Sequence, residues 1–359
     1  MKTLWRYVTL RFLSAFLGSL VILALVVVVV DLLLNLDEVI QAHDSLGGAA
    51  RFLLMGTAAS YLPFLLPLAC FIGVFASVGQ AARHREILAV KAGGISPLLA
   101  LAPLAGLAAI IAVATGVANE TLSVPSAAEL SRQEGLHGGE LSVRSGAIWY
   151  HAGRFIYNTP PGGDEGRIRD FRVYERDRSG RLIRFLQAET AVPVSPRAFR
   201  LEQATIRRFD PAHPDAAPDV RRVDEVTLQL ADRDLPVLED ELSALPIGTL
   251  VDYVGASLAA GGRPTRARVA LHARLSLPFL AVLFTLLAIP LALSVEQTRS
   301  LALPLLRGIA VIFVFLLLRD YGNDVVARAG DIRSALWIPW LTIGLFFGYG
   351  SWQLVRQPR

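Results

Sequence analysis

One cysteine, two lysines and six histidines are all that 359 residues hold of these chemically versatile side chains. Cys70 has no second cysteine to pair with, which excludes a disulfide within the chain and a cysteine metal cluster. Neither Lys2 nor Lys91 follows a glycine, so there is no GxxxxGK[ST] phosphate loop. Nucleotide-driven work would therefore fall to another subunit. HExxH and GxSxG are absent as well. The basic residues are scattered and lack interleaved aromatics, so a net charge of +4 and a pI near 9.4 do not point to nucleic acid. Charged residues make up only 18% of the chain against 53% hydrophobic, with a mean hydropathy of +0.48, which is too apolar for an ordinary soluble protein.

What is present is a set of long apolar runs. The expected architecture is an α-helical membrane protein with six transmembrane helices and an inserted all-β domain. The N-terminal membrane part, 1–119, holds spans at 12–36, 52–80 and 97–118. The C-terminal part, 265–359, holds spans at 269–293, 301–320 and 335–355. The first run is roughly twice the length of a signal-peptide core and ends in no small-x-small site, so it reads as an uncleaved span. Asp31 would cost about 2.5–3.5 kcal/mol at a bilayer centre, but it sits toward the far end of that run. Pro63 and Pro67 interrupt the second span and predict a kink. The third is rich in Ala and Gly, a composition that lets helices approach closely.

Between the second and third spans lies a charged stretch, 83–94, running Arg83-His84-Arg85-Glu86-Ile87-Leu88-Ala89-Val90-Lys91-Ala92-Gly93-Gly94. It is too short to span a bilayer and too charged to lie inside one. A short helix stopped by Gly93-Gly94 is expected, serving either as a handle for a partner or as a solvated turn whose cations set orientation.

Residues 120–264 change character. Short alternating segments such as Ala147–Tyr150, Arg154–Tyr157, Phe171–Tyr174, Leu182–Leu186, Arg200–Ile206 and Val226–Leu230 read as β-strands. Turn residues separate them at Thr159–Gly163, Asp177–Gly180 and Asp210–Asp219. A sandwich or jelly roll is expected, followed by a helix over Leu250–Ala260. His137, His151 and His213 are isolated, and no catalytic constellation appears. Orientation follows from Lys and Arg in the short loops: Lys2, Arg6, Arg11, Arg83, Arg85, Lys91, Arg299, Arg356 and Arg359 share one side, against Arg51, Arg328 and Arg333 on the other. Both termini and the 83–94 stretch are expected in the cytoplasm, with the β domain outside.

Several stretches in this order resemble the LptF/LptG (YjgP/YjgQ) family of lipopolysaccharide export permeases. They are Arg6-Tyr7-Val8, Leu36-Asp37-Glu38-Val39, Arg85-Glu86-Ile87-Leu88 through Ala92-Gly93, Leu250 to Gly261, and Leu271-His272-Ala273-Arg274-Leu275-Ser276-Leu277-Pro278. Arg307-Gly308 and Asp320-Tyr321-Gly322 look more like the LptG half. The resemblance implies a permease subunit of an ABC transporter in the bacterial inner membrane, with a periplasmic jelly-roll domain. Its implied partners are a homologous LptF-like permease as heterodimer, an LptB-like cytoplasmic ATPase dimer, a membrane-anchored LptC-like periplasmic β protein, and lipopolysaccharide. No cofactor is expected on this chain itself, ATP and Mg being handled by the ATPase, and neither a metal site nor a catalytic residue is implied.

By the same resemblance the 83–94 stretch corresponds to a coupling helix. Glu86 would engage the ATPase, with Arg83, Arg85, His84, Ile87, Leu88, Ala89 and Gly93 shaping the contact. The lipid cavity should pair basic residues with an apolar wall, and the candidates by position are Arg51, Arg268, Arg274 and Arg319, with Asp31 nearby in the first span. Each arginine has an ordinary alternative; Arg319, for one, can pair with Asp320 or snorkel to the interface. Some family members carry a lysine late in the first span, where this chain has Leu33-Leu34-Asn35. Two other readings stay open: a mechanotransmitting subunit of another ABC export complex, and an intramembrane lipid-modifying enzyme. The polar residues inside the spans, Asp31, Asn35, Ser60, Thr115 and Thr285, are sparse for the latter.

Overall fold

A computed structural model of the chain describes residues 1–34, 58–126, 140–144, 147–152, 154–160, 168–177, 180–195, 198–210, 213, 216–229, 245–259, 264–298, 300–329 and 332–356. The chain divides into two compact units: Met1–Ser126 with His272–Val325 and Leu336–Arg359, and Ala127–Leu271 with Val326–Ala335.

The first unit is helical. Its elements are α1 (Lys2–Leu34), α2 (Ala58–Arg83), α3 (Glu86–Ala92), α4 (Pro97–Ala100) and α5 (Ala102–Ala118), which continues into a π-helical turn at Asn119–Ser123. After the β domain come α6 (Ile247–Ala259), α7 (Thr265–Ser276), α8 (Phe279–Leu293), α9 (Val295–Thr298), α10 (Ala302–Ala329) and α11 (Ile332–Val355), of which α6, α7 as far as Leu271 and residues Val326–Ala335 belong to the second unit. Among the described residues, four helices are long and apolar enough to cross a membrane, and the α7–α8 pair, bent by 50° at its break, makes a fifth if it is one span. The sixth expected span coincides with α11, 24 residues long with Pro339 inside it.

α2 is the most buried of the spanning helices and α1 among the most exposed. The two meet closely: a Cβ on Gly73 would come within 2.9 Å of Phe16 Cα, and Ser19 Oγ donates to Ala69 O at 3.2 Å. Only glycine allows that approach. On the other side of the core, Phe284, Phe315 and Phe346 stack edge to face with centroids 5.7 and 5.1 Å apart, tying α8, α10 and α11 together.

In the second unit, β1 (Glu140–Arg144), β2 (Ala147–Ala152), β3 (Phe155–Thr159), β4 (Ile168–Arg176), β5 (Leu182–Ser195), β6 (Ala198–Arg208) and β7 (Asp219–Gln229) form one antiparallel sheet in sequence order. The described strands are thus an up-and-down meander, without the exchange between two sheets that a jelly roll requires. Link length accounts for this. Two residues separate β1 from β2, β2 from β3 and β5 from β6, and so short a connection allows pairing only with the next strand. Tyr157, Phe171, Val173, Leu186, Ala188, Leu201 and Ala204 build the buried face. The opposite face carries the stacked rings of Trp149, Tyr174 and Phe185, with the Arg207 guanidinium 5.5 Å from the Phe185 ring. β1 was not foreseen, because Glu-Leu-Ser-Val-Arg has only two apolar residues to show a period. In α6, Leu250 and Val254 pack on Ala267 of α7, and burial raises the Tyr253 hydroxyl above its ordinary pKa.

Candidate functional site

The 83–94 stretch is shorter as a helix than its charge pattern suggested. α2 runs on through Arg83, and His84-Arg85 then break the chain direction with Arg85 in the left-handed region (φ 62°). α3 therefore comprises only Glu86–Ala92. Its end follows the expected stop: Gly94 takes φ 74°, its N–H bonds Lys91 O at 2.9 Å, and Ile95 N–H bonds Val90 O at 3.1 Å. This pair of bonds is a Schellman cap, and the left-handed residue in it is Gly94.

α3 is anchored from three directions. Ile87, 5% exposed, joins the apolar core of the first unit. Lys91 Nζ lies 3.5 Å from Glu296 Oε2 on α9. Glu86 is held by α1: Arg11 Nη1 donates to its Oε1 and Oε2 at 2.9 and 2.8 Å, and Tyr7 Oη donates to Oε2 at 3.1 Å. Arg11 Nη1 also reaches the Tyr7 hydroxyl at 2.6 Å, and Nη2 reaches Gln80 Oε1 of α2 at 3.5 Å. A charge-assisted cluster of this kind is shorter and stronger than neutral hydrogen bonds. Nearby, Trp5 Nε1 donates to Leu99 O of α4 at 3.1 Å.

The remaining surface of α3 faces outward. Leu88 is 48% exposed, and Ala89, Gly93, Arg83, His84 and Arg85 are exposed beside it. His84 Nδ1 lies 2.9 Å from Gln80 O. The predicted coupling residues thus separate into an outward group and an inward pair, Glu86 and Ile87. The sequence gave no sign of the partners on α1: Arg11 had counted only as an orienting charge and Tyr7 as part of a family motif. Their spacing of four residues on one helix face was the available signal.

The lipid candidates are dispersed. Arg51 lies outside the described residues. Asp31 is half-buried near the end of α1, and Arg268 is half-buried on α7 in the second unit. Arg319 reaches the backbone next to Arg274. Arg319, 4% exposed, donates from Nη2 to Ala273 O at 3.1 Å, and its Nη1 stands 3.9 Å from Asp320 Oδ1. Arg274 Nη1 is 3.9 Å from Glu120 Oε1, in the π-helical turn after α5. One helix turn is widened there, a feature often found at functional sites. His272 and Trp340, whose Nδ1 and Nε1 are 3.4 Å apart, flank the same end of α7. Glu120 and Trp340 had drawn no attention in the sequence. Among the described residues, no group of three His, Cys, Asp or Glu side chains is placed to hold a metal ion.

No curated protein matches the chain. The family model for the lipopolysaccharide export system permease LptF/LptG matches residues 6–356. It spans both helical parts and the sheet between them. This is a multi-pass membrane protein of the transport type, and it belongs to the lipopolysaccharide export system permease LptF/LptG family.

Proposed function

We propose that this chain is one permease subunit of an ABC transporter that extracts lipopolysaccharide from the bacterial inner membrane and passes it to a periplasmic β bridge toward the outer membrane. It pairs with a homologous permease and takes its drive from a cytoplasmic ATPase dimer that hydrolyses ATP. The LptG-like half is our preferred assignment, on Arg307-Gly308 and Asp320-Tyr321-Gly322. Both termini and α3 are assigned to the cytoplasm, and the sheet to the periplasm.

The observation that carries the reading is the two-sided character of α3. Its outward surface, centred on Leu88 with Ala89 and Arg83, His84 and Arg85 around it, is open to a partner. Its inward surface is fastened to α1, to α9 and to the core by Glu86, Lys91 and Ile87. A push on such a helix cannot dissipate by sliding, so it passes to the spans. Among the lipid candidates, Arg274 and Arg319 are the two that the fold brings to one end of α7, and we assign them to the anionic head group.

The test is purification of the intact complex from membranes with identification of bound proteins and lipid. The expected result is an ATPase and a second permease, with lipopolysaccharide retained. Leu88→Glu, which puts a charge at the centre of the outward surface, should then release the ATPase without loss of the permease pair. Retention of the ATPase by Leu88→Glu would move the docking surface elsewhere. An ATPase recovered with no lipid would instead favour a mechanotransmitting subunit.

A further inference from the structure

Glu86 has partners inside its own chain, and those partners sit on a spanning helix. We infer that Arg11, assisted by Tyr7, is a positioning residue of the coupling step: the Arg11–Glu86 ion pair is the strut that carries displacement of α3 into the first span. The inference rests on the coupling reading above and changes the part Glu86 plays in it. Glu86 faces inward as a connector, and contact with the ATPase is left to Leu88 and its exposed neighbours.

Four observations support it. First, the pair joins residues 75 positions apart through bonds of 2.8 and 2.9 Å from a single nitrogen to both carboxylate oxygens. The Tyr7 hydroxyl on Oε2 at 3.1 Å adds a second point of attachment, so the carboxylate is held by two side chains of α1. Second, a cavity of 230 Å³ lies between the apolar sides of the two helices, lined by Leu4 and Val8 on α1, Ile87 and Val90 on α3, and Val78 and Ala81 on α2. Tyr7, Arg11 and Glu86 line it too. The polar cluster thus bridges α1 and α3 where side-chain packing leaves a gap. Third, the side chains are only partly exposed, 23% for Arg11 and 37% for Glu86, so salt screens the pair less than a surface ion pair. Fourth, Arg11 also touches Gln80 on α2, and α1 and α2 pack closely around Gly73. Displacement of Glu86 is passed to two helices already locked to each other.

The experiment uses the complete complex reconstituted in vesicles loaded with lipopolysaccharide, and it reads lipid released per ATP hydrolysed. Arg11→Ala is expected to lower that ratio about tenfold, a loss of ~1.4 kcal/mol in coupling. Glu86→Ala should lower it as far. The decisive arm is the exchange: Arg11→Glu combined with Glu86→Arg should recover at least half of the ratio that either single substitution loses. An exchange no better than the worse single variant would overturn the inference, because the partner that Glu86 needs would then lie in another chain. Arg11→Ala at the wild-type ratio would overturn it too. Should Arg11→Ala fail to assemble, Tyr7→Phe removes only the bridging hydroxyl. It should lower the ratio by about threefold, which is within the net range for an ordinary hydrogen bond, and no change would count against the strut. Loss of coupling by Glu86→Ala with Arg11→Ala inert removes the strut and keeps the coupling reading; both inert removes the coupling reading itself.

Discussion

Lys91 Nζ of α3 and Glu296 Oε2 of α9 approach to 3.5 Å, joining α3 to the short helix between α8 and α10 across 205 positions. Two sites on α3 are thus charged anchors of unequal strength. Glu86 accepts from one Arg11 nitrogen on both oxygens and from the Tyr7 hydroxyl of α1, and Lys91 has one longer contact with α9.

Lys91→Ala should accordingly weaken coupling less than Glu86→Ala does. A single partly exposed pair contributes about 0.2–1 kcal/mol and is screened by salt. The measurement is lipid released per ATP at low and high ionic strength. The difference between wild type and Lys91→Ala should shrink as salt rises, and a difference independent of salt would show that Lys91 acts other than through Glu296.

Gly73→Ala should destabilise the helical unit by about 1–3 kcal/mol, since the new methyl would press on Phe16 backbone atoms at 2.9 and 3.0 Å and force α1 away from α2. Gly106 on α5 supplies the control, because nothing lies within 4 Å of a Cβ built there. Gly106→Ala should be neutral or stabilising by up to ~1 kcal/mol. Thermal unfolding in detergent distinguishes the two, and equal midpoints would mean that the α1–α2 contact has slack.

Arg319→Met should leave folding intact and reduce photocrosslinking to lipopolysaccharide. Ala273 O also accepts the Ser276 hydroxyl at 2.8 Å, so loss of the guanidinium does not orphan that carbonyl. Asp320, 71% exposed, stays in water when the guanidinium is gone, so no buried charge is left unpaired. Unchanged crosslinking yield would confine Arg319 to packing α10 against α7.

In the sheet, Glu175 is 7% exposed and receives Arg154 at 2.9 Å and Arg184 at 2.8 Å. Either arginine alone keeps the carboxylate paired, so Arg154→Ala and Arg184→Ala should each cost under about 1 kcal/mol. Removing both leaves a buried charge without its cations and should cost about 3–5 kcal/mol, well beyond the sum. Hydrogen exchange of the β4 amides in the full chain reads the effect. Additive losses would show that water reaches Glu175.

The legible parts of the sequence were those governed by local pattern. The apolar runs marked α1, α2, α5, α8 and α10, and the alternating segments marked six of the seven strands. Asp177 and Gly180 announced a turn that the structure closes with Arg181 N–H on Asp177 Oδ1 at 2.9 Å and Gly180 at φ 84°. Where local pattern was ambiguous, expectation and structure part. Charge over 83–94 suggested one helix, but Arg85 adopts a left-handed conformation that no composition rule requires of an arginine. Alternation showed where strands lie without showing their order, and the short links decided for a meander.

The sequence alone determined a membrane chain of long apolar helices with an inserted β segment, a charged stretch closed by Gly-Gly, and membership of a permease family, because each follows from periodicity, spacing or residue type along the chain. The tertiary structure decided which distant polar groups meet: Arg11 and Tyr7 with Glu86, Lys91 with Glu296, and Arg319 with the backbone at Ala273. Such pairings depend on how helices far apart in sequence cross and how closely their backbones approach. Gly73 sets one of those approaches, and its effect is visible only where α2 lies against Phe16.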